Sequence, residues 1–402
     1  MEISDIYTVS VEVPEPAVDA EPRRDAWYEG PRVANPMSRY PRYAEDRSSW
    51  RPSFERFGCV VESDDGTRGF TTGVHGTPVA TLVDDYLGPR LVGENPMAIE
   101  KLYDMATRMC EPLGKSGITT FAVSAIDRAL WDLKGKTLDV PVYELLGGPA
   151  REELHCYATG NDTDWHAELG FEDTKLACPY GPADGEEGIR KNAELVAEAR
   201  DIMGPDAEVM LDCWMAFDEA YTVRLANELR EYDLAWIEEV LPPENLDAHA
   251  AVRERLPWQT LATGEHWFTV ERFQQAASRR LIDVFQPDVD WFGLTPVVKV
   301  AAIAESAGID LVPHAAGNSV YGQHACYALP AISKTEFFVG TAPGVPLDAA
   351  RRLPGQAVPE DGTITPSDDP GFGVDMDEIE LSRPFTPSDS ASRGSASGGY
   401  GN

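Results

Sequence analysis

Apolar and polar residues alternate with period two along the opening stretch, MEISDIYTVSVEV, and this predicts a β-strand. Residues 57–63, FGCVVES, followed by DDGTRGF, predict a hairpin turning at Asp-Gly. Between them, Asn35–Trp50 is rich in Pro, Arg and Tyr and reads as a loop. The period then changes. Over 116–138, Ile118, Phe121, Ala122, Ala125, Ile126, Ala129, Leu130 and Leu133 recur at i, i+3, i+4 and i+7, which predicts a helix. VPVYELLGG follows, with a Pro break and a Gly stop. Residues 1–115 thus read as an α+β region.

From residue 155 a cadence sets in. Short apolar runs end near Gly160, Cys178, Asp212, Glu238, Glu265, Asp288, His314 and Gly340. Helical patterns fill the gaps, as at 187–203 and 296–307. From Asp212 onward the run ends lie 26, 27, 23, 26 and 26 residues apart. One βα unit needs a strand of about 5 residues, a helix of about 12 and two short loops, which fits that interval. The fold class is therefore α/β. Eight such units make a (β/α)8 barrel, and no GxGxxG follows any strand to favour a doubly wound sheet. Residues 345–385 return to loop and short-strand composition, and 386–402, TPSDSASRGSASGGYGN, read as a disordered tail.

A barrel converges its strand ends on one mouth. Here those ends carry acids or His: VMLD212, AWIE238, LATGE265, FQPD288 and LVPH314. One such carboxylate alone would read as a helix N-cap. Asp212, Glu238 and Glu265 come from three consecutive strands, and three carboxylates in one site repel unless a divalent cation sits among them. Oxygen-only ligation points to Mg2+ or Mn2+ rather than zinc. Asp288 and His314 close the next two strands, an arrangement in which the carboxylate fixes the imidazole tautomer and raises its basicity. In WIEE, strand alternation lets only one of Glu238 and Glu239 face inward.

Charge changes the picture further. Lys plus Arg number 34 against 68 Asp plus Glu, a net charge of −34, and only 8 of the basic residues are Lys. That excludes the basic footprint of a nucleic-acid binder. Spread along the whole chain, it reads as adaptation to molar intracellular salt, where a Debye length of about 3 Å screens the self-repulsion. The six cysteines, irregularly spaced and without a CxxC pair, read as free thiols of a reducing cytoplasm. No apolar run approaches the ~18 residues of a membrane span, and the acidic N-terminus lacks the apolar core of a secretory signal.

The run FAVSAIDRALWDLKGKTLDVPVYELLGG resembles the enolase superfamily, in its mandelate racemase-like branch. NPMSRYPRY, PYGPADGEEGIRK, LDCWM, WIEEVLPPEN, TGEH, QPDVDW, VPHAAGNSVYGQH and PGFGV resemble the L-rhamnonate dehydratases and close sugar-acid dehydratases, over about residues 33–385. The resemblance implies a modified TIM barrel over 121–345, an α+β capping domain over 1–120 and a C-terminal return to the cap over 346–385. It also implies one Mg2+ on Asp212, Glu238 and Glu265, selecting Glu238 over Glu239, and His314 as base oriented by Asp288. Arg47, Lys175 and His266 match substrate-binding positions.

The implied activity is dehydration of an aldonic acid to a 2-keto-3-deoxy acid in a cytoplasmic homo-oligomer. The alternatives are other aldonates, of the gluconate, xylonate, arabinonate or fuconate type, a racemase or epimerase, and a non-catalytic barrel. Three departures stand out. The racemases' Lys-x-Lys is here Lys175-Leu176-Ala177, which argues against two-faced acid–base chemistry. No His precedes His75, so a cap-loop His of the related dehydratases is missing. Strand 8 is read as FFVG, ending without a carboxylate.

Overall fold

The computed structural model describes residues 1–14, 16, 18–29, 32–44 and 55–387. Arg47 and almost all of the predicted tail therefore lie outside the described residues.

The alternating N-terminal stretch forms β1 (Ile3–Glu12), and the hairpin forms β2 (Phe57–Ser63) and β3 (Arg68–Gly73). Gly66 supplies the left-handed residue of the turn at φ 87°. The helix Ile118–Leu138 packs on β3, and Gly69 permits this, since a Cβ there would fall 2.0 Å from the Ala129 carbonyl. Helical periodicity predicts one buried stripe, yet this helix is buried on nearly every face, Asp127, Arg128 and Asp132 included. It is wedged between two layers, and its polar residues are bonded to both. Asp132 accepts from Phe70 N in β3 at 2.8 Å and from Phe372 N in PGFGV at 2.9 Å.

Eight parallel strands follow: β4 (Leu154–Thr159), β5 (Thr174–Ala177), β6 (Val209–Asp212), β7 (Trp236–Glu238), β8 (Leu261–Thr263), β9 (Val284–Phe285), β10 (Asp310–Leu311) and β11 (Thr335–Phe338). They lie in the order β10-β9-β8-β7-β6-β5-β4-β11, and a Leu311–Ile332 bridge links the two ends. This is the modified (β/α)8 barrel expected from the cadence. The predicted helical stretches appear as Gly185–Met203 and Leu294–Ala307. A short β12 (Thr363–Ile364) pairs with β4, and β13 (Glu380–Ser382) pairs antiparallel with β1, so the C-terminal segment rejoins the first sheet.

The barrel interior is filled by Tyr157, Met210, Trp236, Ala262, Val284 and Val312. Period two then dictates the next inward positions: Asp212 follows Met210, Glu238 follows Trp236 and His314 follows Val312. All six cysteines are free and buried. No helix among the described residues is long and apolar enough to cross a membrane.

Candidate active site

Strand register assembles the mouth. Asp212 is the register partner of Glu238, and Asp288 and His314 form an isolated parallel bridge. Glu238, Glu265 and Asp288 are at most 3% exposed. Burial, then the neighbouring Glu238, pushes the Asp212 carboxyl up to about 7. Burial also pushes Glu265 up to about 7, with Glu239 adding to the effect and His314 opposing it. Such a cluster resists carrying its full charge unaided. The donors are all oxygens and their strand ends are adjacent, the chemistry of a hard divalent cation. Yet Glu238 is engaged by Lys175, Trp236 and Gln286, and the group drawn within ligating distance among the described residues is Glu239, Glu265 and His266.

His314 Nδ1 lies 2.7 Å from Asp288 Oδ2, while Asp288 Oδ1 accepts from Trp291 N at 2.8 Å. Holding the proton on Nδ1 leaves Nε2 facing the site, 3.3 Å from Glu265 Oε2. Burial alone would lower the His314 pKa. Glu265, the Asp288 hydrogen bond and Glu336 outweigh it and raise the pKa well above the usual value.

Glu239 breaks the alternation rule. The strand ends at Glu238, and Glu239 takes φ 46°, so the chain turns and both carboxylates are buried at the mouth. Glu238 accepts from Trp236 Nε1 at 2.9 Å and from Gln286 Nε2 at 2.6 Å. Glu239 instead faces His266, whose Nδ1 lies 2.9 Å from its Oε1 and 3.3 Å from Glu265 Oε1. Glu239, Glu265 and His266 are close enough together to form a metal-binding group of their own. The Trp291 ring packs against both imidazoles, 5.4 Å from His266 and 5.3 Å from His314.

Lys175 lies one layer below the mouth rather than at its opening. It is 1% exposed, with Nζ 2.6 Å from Glu238 Oε1 and 2.9 Å from Glu336 Oε1. Burial works against its charge, and the two carboxylates more than restore it. Glu336 corrects the expectation of an eighth strand without a carboxylate. β11 runs TEFF, and Glu336 points inward. It accepts from Thr159 Oγ1 at 2.6 Å and from Ala315 N, next to His314, at 2.9 Å. Although burial would raise it, Lys175 and then His314 bring its carboxyl down to about 2. An acid within a fully buried strand, TEFF, is the signal that the sequence carries for it.

Residues 59–147 match the mandelate racemase / muconate lactonizing enzyme N-terminal domain, and residues 163–380 match the enolase C-terminal domain-like family. A protein of Caldivirga maquilingensis, provisionally named an L-rhamnonate dehydratase, is 40% identical over 88% of this chain and 89% of its own length. The L-rhamnonate dehydratase of Saccharopolyspora erythraea is 38% identical over 90% and 93%. The crystal structure of L-rhamnonate dehydratase from Gibberella zeae is 31% identical and covers 97% of each chain, with a TM-score of 0.84. The crystal structure of rhamnonate dehydratase from Gibberella zeae complexed with Mg gives a TM-score of 0.82 at 30% identity, over 98% of this chain and 95% of that one. Two family domains in sequence, joined on the fold described above, place the chain in the mandelate racemase / muconate lactonizing enzyme branch of the enolase superfamily.

Proposed function

We propose that the protein is a Mg2+-dependent sugar-acid dehydratase that converts an aldonate of the L-rhamnonate type to its 2-keto-3-deoxy acid. One observation carries the reading: the His314 imidazole is fixed by Asp288 on one nitrogen and faces the carboxylate cluster with the other. The relatives named above support the substrate class, and the Mg complex of one of them supports the metal.

Asp212, Glu238 and Glu265 would hold the cation. When bound, it supplies a Lewis acid for the substrate carboxylate, where negative charge develops as the α-proton leaves. His314 Nε2 takes the C2 proton, and the Asp288 carboxylate stabilises the imidazolium that results. The 3-hydroxyl then leaves as water, with His314 returning the proton. One residue serving twice requires both events on the same face, a syn elimination. Arg47 and His266 are the proposed substrate contacts, while Lys175, buried below the mouth, sets the charge beneath Glu238. The missing second lysine disfavours a racemase.

A panel of six-carbon, five-carbon and 6-deoxy aldonates, assayed for 2-keto-3-deoxy acid with and without EDTA, tests the reading. Metal-dependent product from at least one acid is expected. Racemisation or epimerisation without loss of water would contradict it. We also read the acidic, lysine-poor composition as adaptation to high intracellular salt.

A further inference from the structure

The His314 imidazole has two sides. Toward the barrel axis lies Glu265. Toward the cap, His314 and Asp288 also line an open-sided recess. Thr72 and Gly73 of β3, Arg56 just before β2, Asn318, Ser319 and Arg352 complete much of its lining. Arg352 arrives on the C-terminal segment. Its backbone N–H donates to Gln356 Oε1 at 2.8 Å, and Gln356 Nε2 donates to the Asn318 carbonyl at 3.0 Å. The segment is thereby tied to the loop that carries His314.

Most polar wall groups already have partners. Asn318 donates to the Phe338 carbonyl and accepts from the Phe338 N–H. Ser319 Oγ donates to Asp290 Oδ1 at 2.8 Å. Buried Arg128 donates to the carbonyls of Thr72 and Asp290, at 3.0 and 2.9 Å, and its Nη1 lies 3.5 Å from Asp290 Oδ1. The Arg352 guanidinium lines the same recess near Arg56, where the carboxylate Asp290 is already engaged by Arg128 and Ser319. It is a fork of donors that carries no acceptor atom of its own. Burial, and then the like charge of Arg56, works against the charge on Arg352. A ligand suited to this space brings acceptor oxygens.

On the dehydratase reading, the substrate carboxylate lies at the metal-binding acids and C2 lies at His314. Carbons beyond C3 then leave on the cap side of the imidazole. We propose that Arg352 is a specificity-determining residue whose guanidinium, beside Arg56, receives the hydroxyl oxygens that the sugar acid carries beyond C3. The C-terminal segment thus helps to read the substrate as well as bracing the cap.

The test is a cycle between side chain and substrate. Wild type, Arg352→Leu and Arg352→Lys are compared on the best aldonate of the panel. They are also compared on 2,3-dihydroxybutanoate, which has no oxygen beyond C3, used as substrate or as competing ligand. Arg352→Leu should lose about 10- to 100-fold in kcat/KM on the aldonate, the range for a hydrogen bond to a charged group, mostly through KM. On the short acid it should stay within about threefold, and Arg352→Lys should recover part of the loss. Equal losses on both acids, or none on either, would overturn the assignment while leaving the dehydratase reading intact. Wild-type protein inactive on every aldonate would overturn the dehydratase reading and this assignment with it. Matched melting temperatures for the three proteins separate these outcomes from misfolding.

Discussion

Each end of the barrel holds an imidazole against an aspartate, with a lysine and further acids nearby. At the N-terminal end, His155 Nε2 lies 3.2 Å from Asp173 Oδ2, and Lys334 Nζ lies 3.7 Å from Asp173 Oδ2 and close to Glu208. At the mouth, His314 lies 2.7 Å from Asp288, with the acid cluster beside them and Lys175 one layer below on Glu238. The residue types match, and the surroundings differ. The His155 and Asp173 side chains are 38% and 12% exposed, against 17% and 3% for His314 and Asp288. Water reaches the first pair through His155 and screens it in part, while Asp173 itself is buried and also accepts from Glu208 N at 2.7 Å. The second is held in a low-dielectric site where the same charges can act on a reacting group. Burial and convergence, rather than residue identity, separate a reactive cluster from a structural one.

Perturbing the two ends should therefore give unequal results. The largest effect is expected from the metal-binding acids. EDTA treatment should abolish turnover, Mg2+ should restore it, and Glu265→Gln should weaken Mg2+ binding measured directly by titration calorimetry. Full turnover by verified metal-free protein would break the contrast. Next comes Asp288→Asn, which leaves the imidazole but frees its tautomer. A loss of about 10²- to 10⁴-fold in kcat is expected, the range for a general base. Asp173→Asn at the opposite end should change kcat by less than about threefold, while costing about 1–3 kcal/mol of stability as a buried carboxylate loses its charged partners.

Salt should act on the whole acidic surface. With a net charge of −34, the melting temperature should rise between about 0.1 M and about 2 M KCl as repulsion is screened. An unchanged value would remove the salt-adaptation reading.

The smallest effect concerns two fully buried histidines away from the mouth. Burial pushes His166 and His324 down to about 3. An unfolded His titrates near 6.5, so between about 3 and 6.5 the unfolded chain binds more protons. Their contribution is thus complete above about pH 6.5 and lost as pH falls toward 3. His324→Gln should flatten the dependence of unfolding free energy on pH over that window, as measured by urea denaturation at pH 7 and pH 5.

How legible all this was in the sequence depended on whether a feature was periodic. The βα cadence located the barrel strand ends within a few residues, because each run of apolar residues must stop where the strand meets water. Asp212, Glu238, Asp288 and His314 were readable for that reason, and the structure brings them together at one mouth. Glu239 was not, since its burial comes from a left-handed residue after the strand, which alternation cannot express. Helical periodicity does not mark Asp127, Arg128 and Asp132, because a helix buried between two layers has no solvent face. Lys175 was picked out by resemblance, but its depth and its two partners follow from strand register across the barrel. Arg56 and Arg352 lie about 300 positions apart in the chain and meet through a C-terminal return that local pattern does not record.

The central claim is that His314 is the group that moves the C2 proton. The most direct measurement follows exchange of that proton with solvent deuterium in His314→Asn, alongside product formation. The account predicts that exchange and dehydration vanish together, with the fold and Mg2+ binding retained. A His314→Asn protein that still washes deuterium into C2 while failing to eliminate water would contradict it.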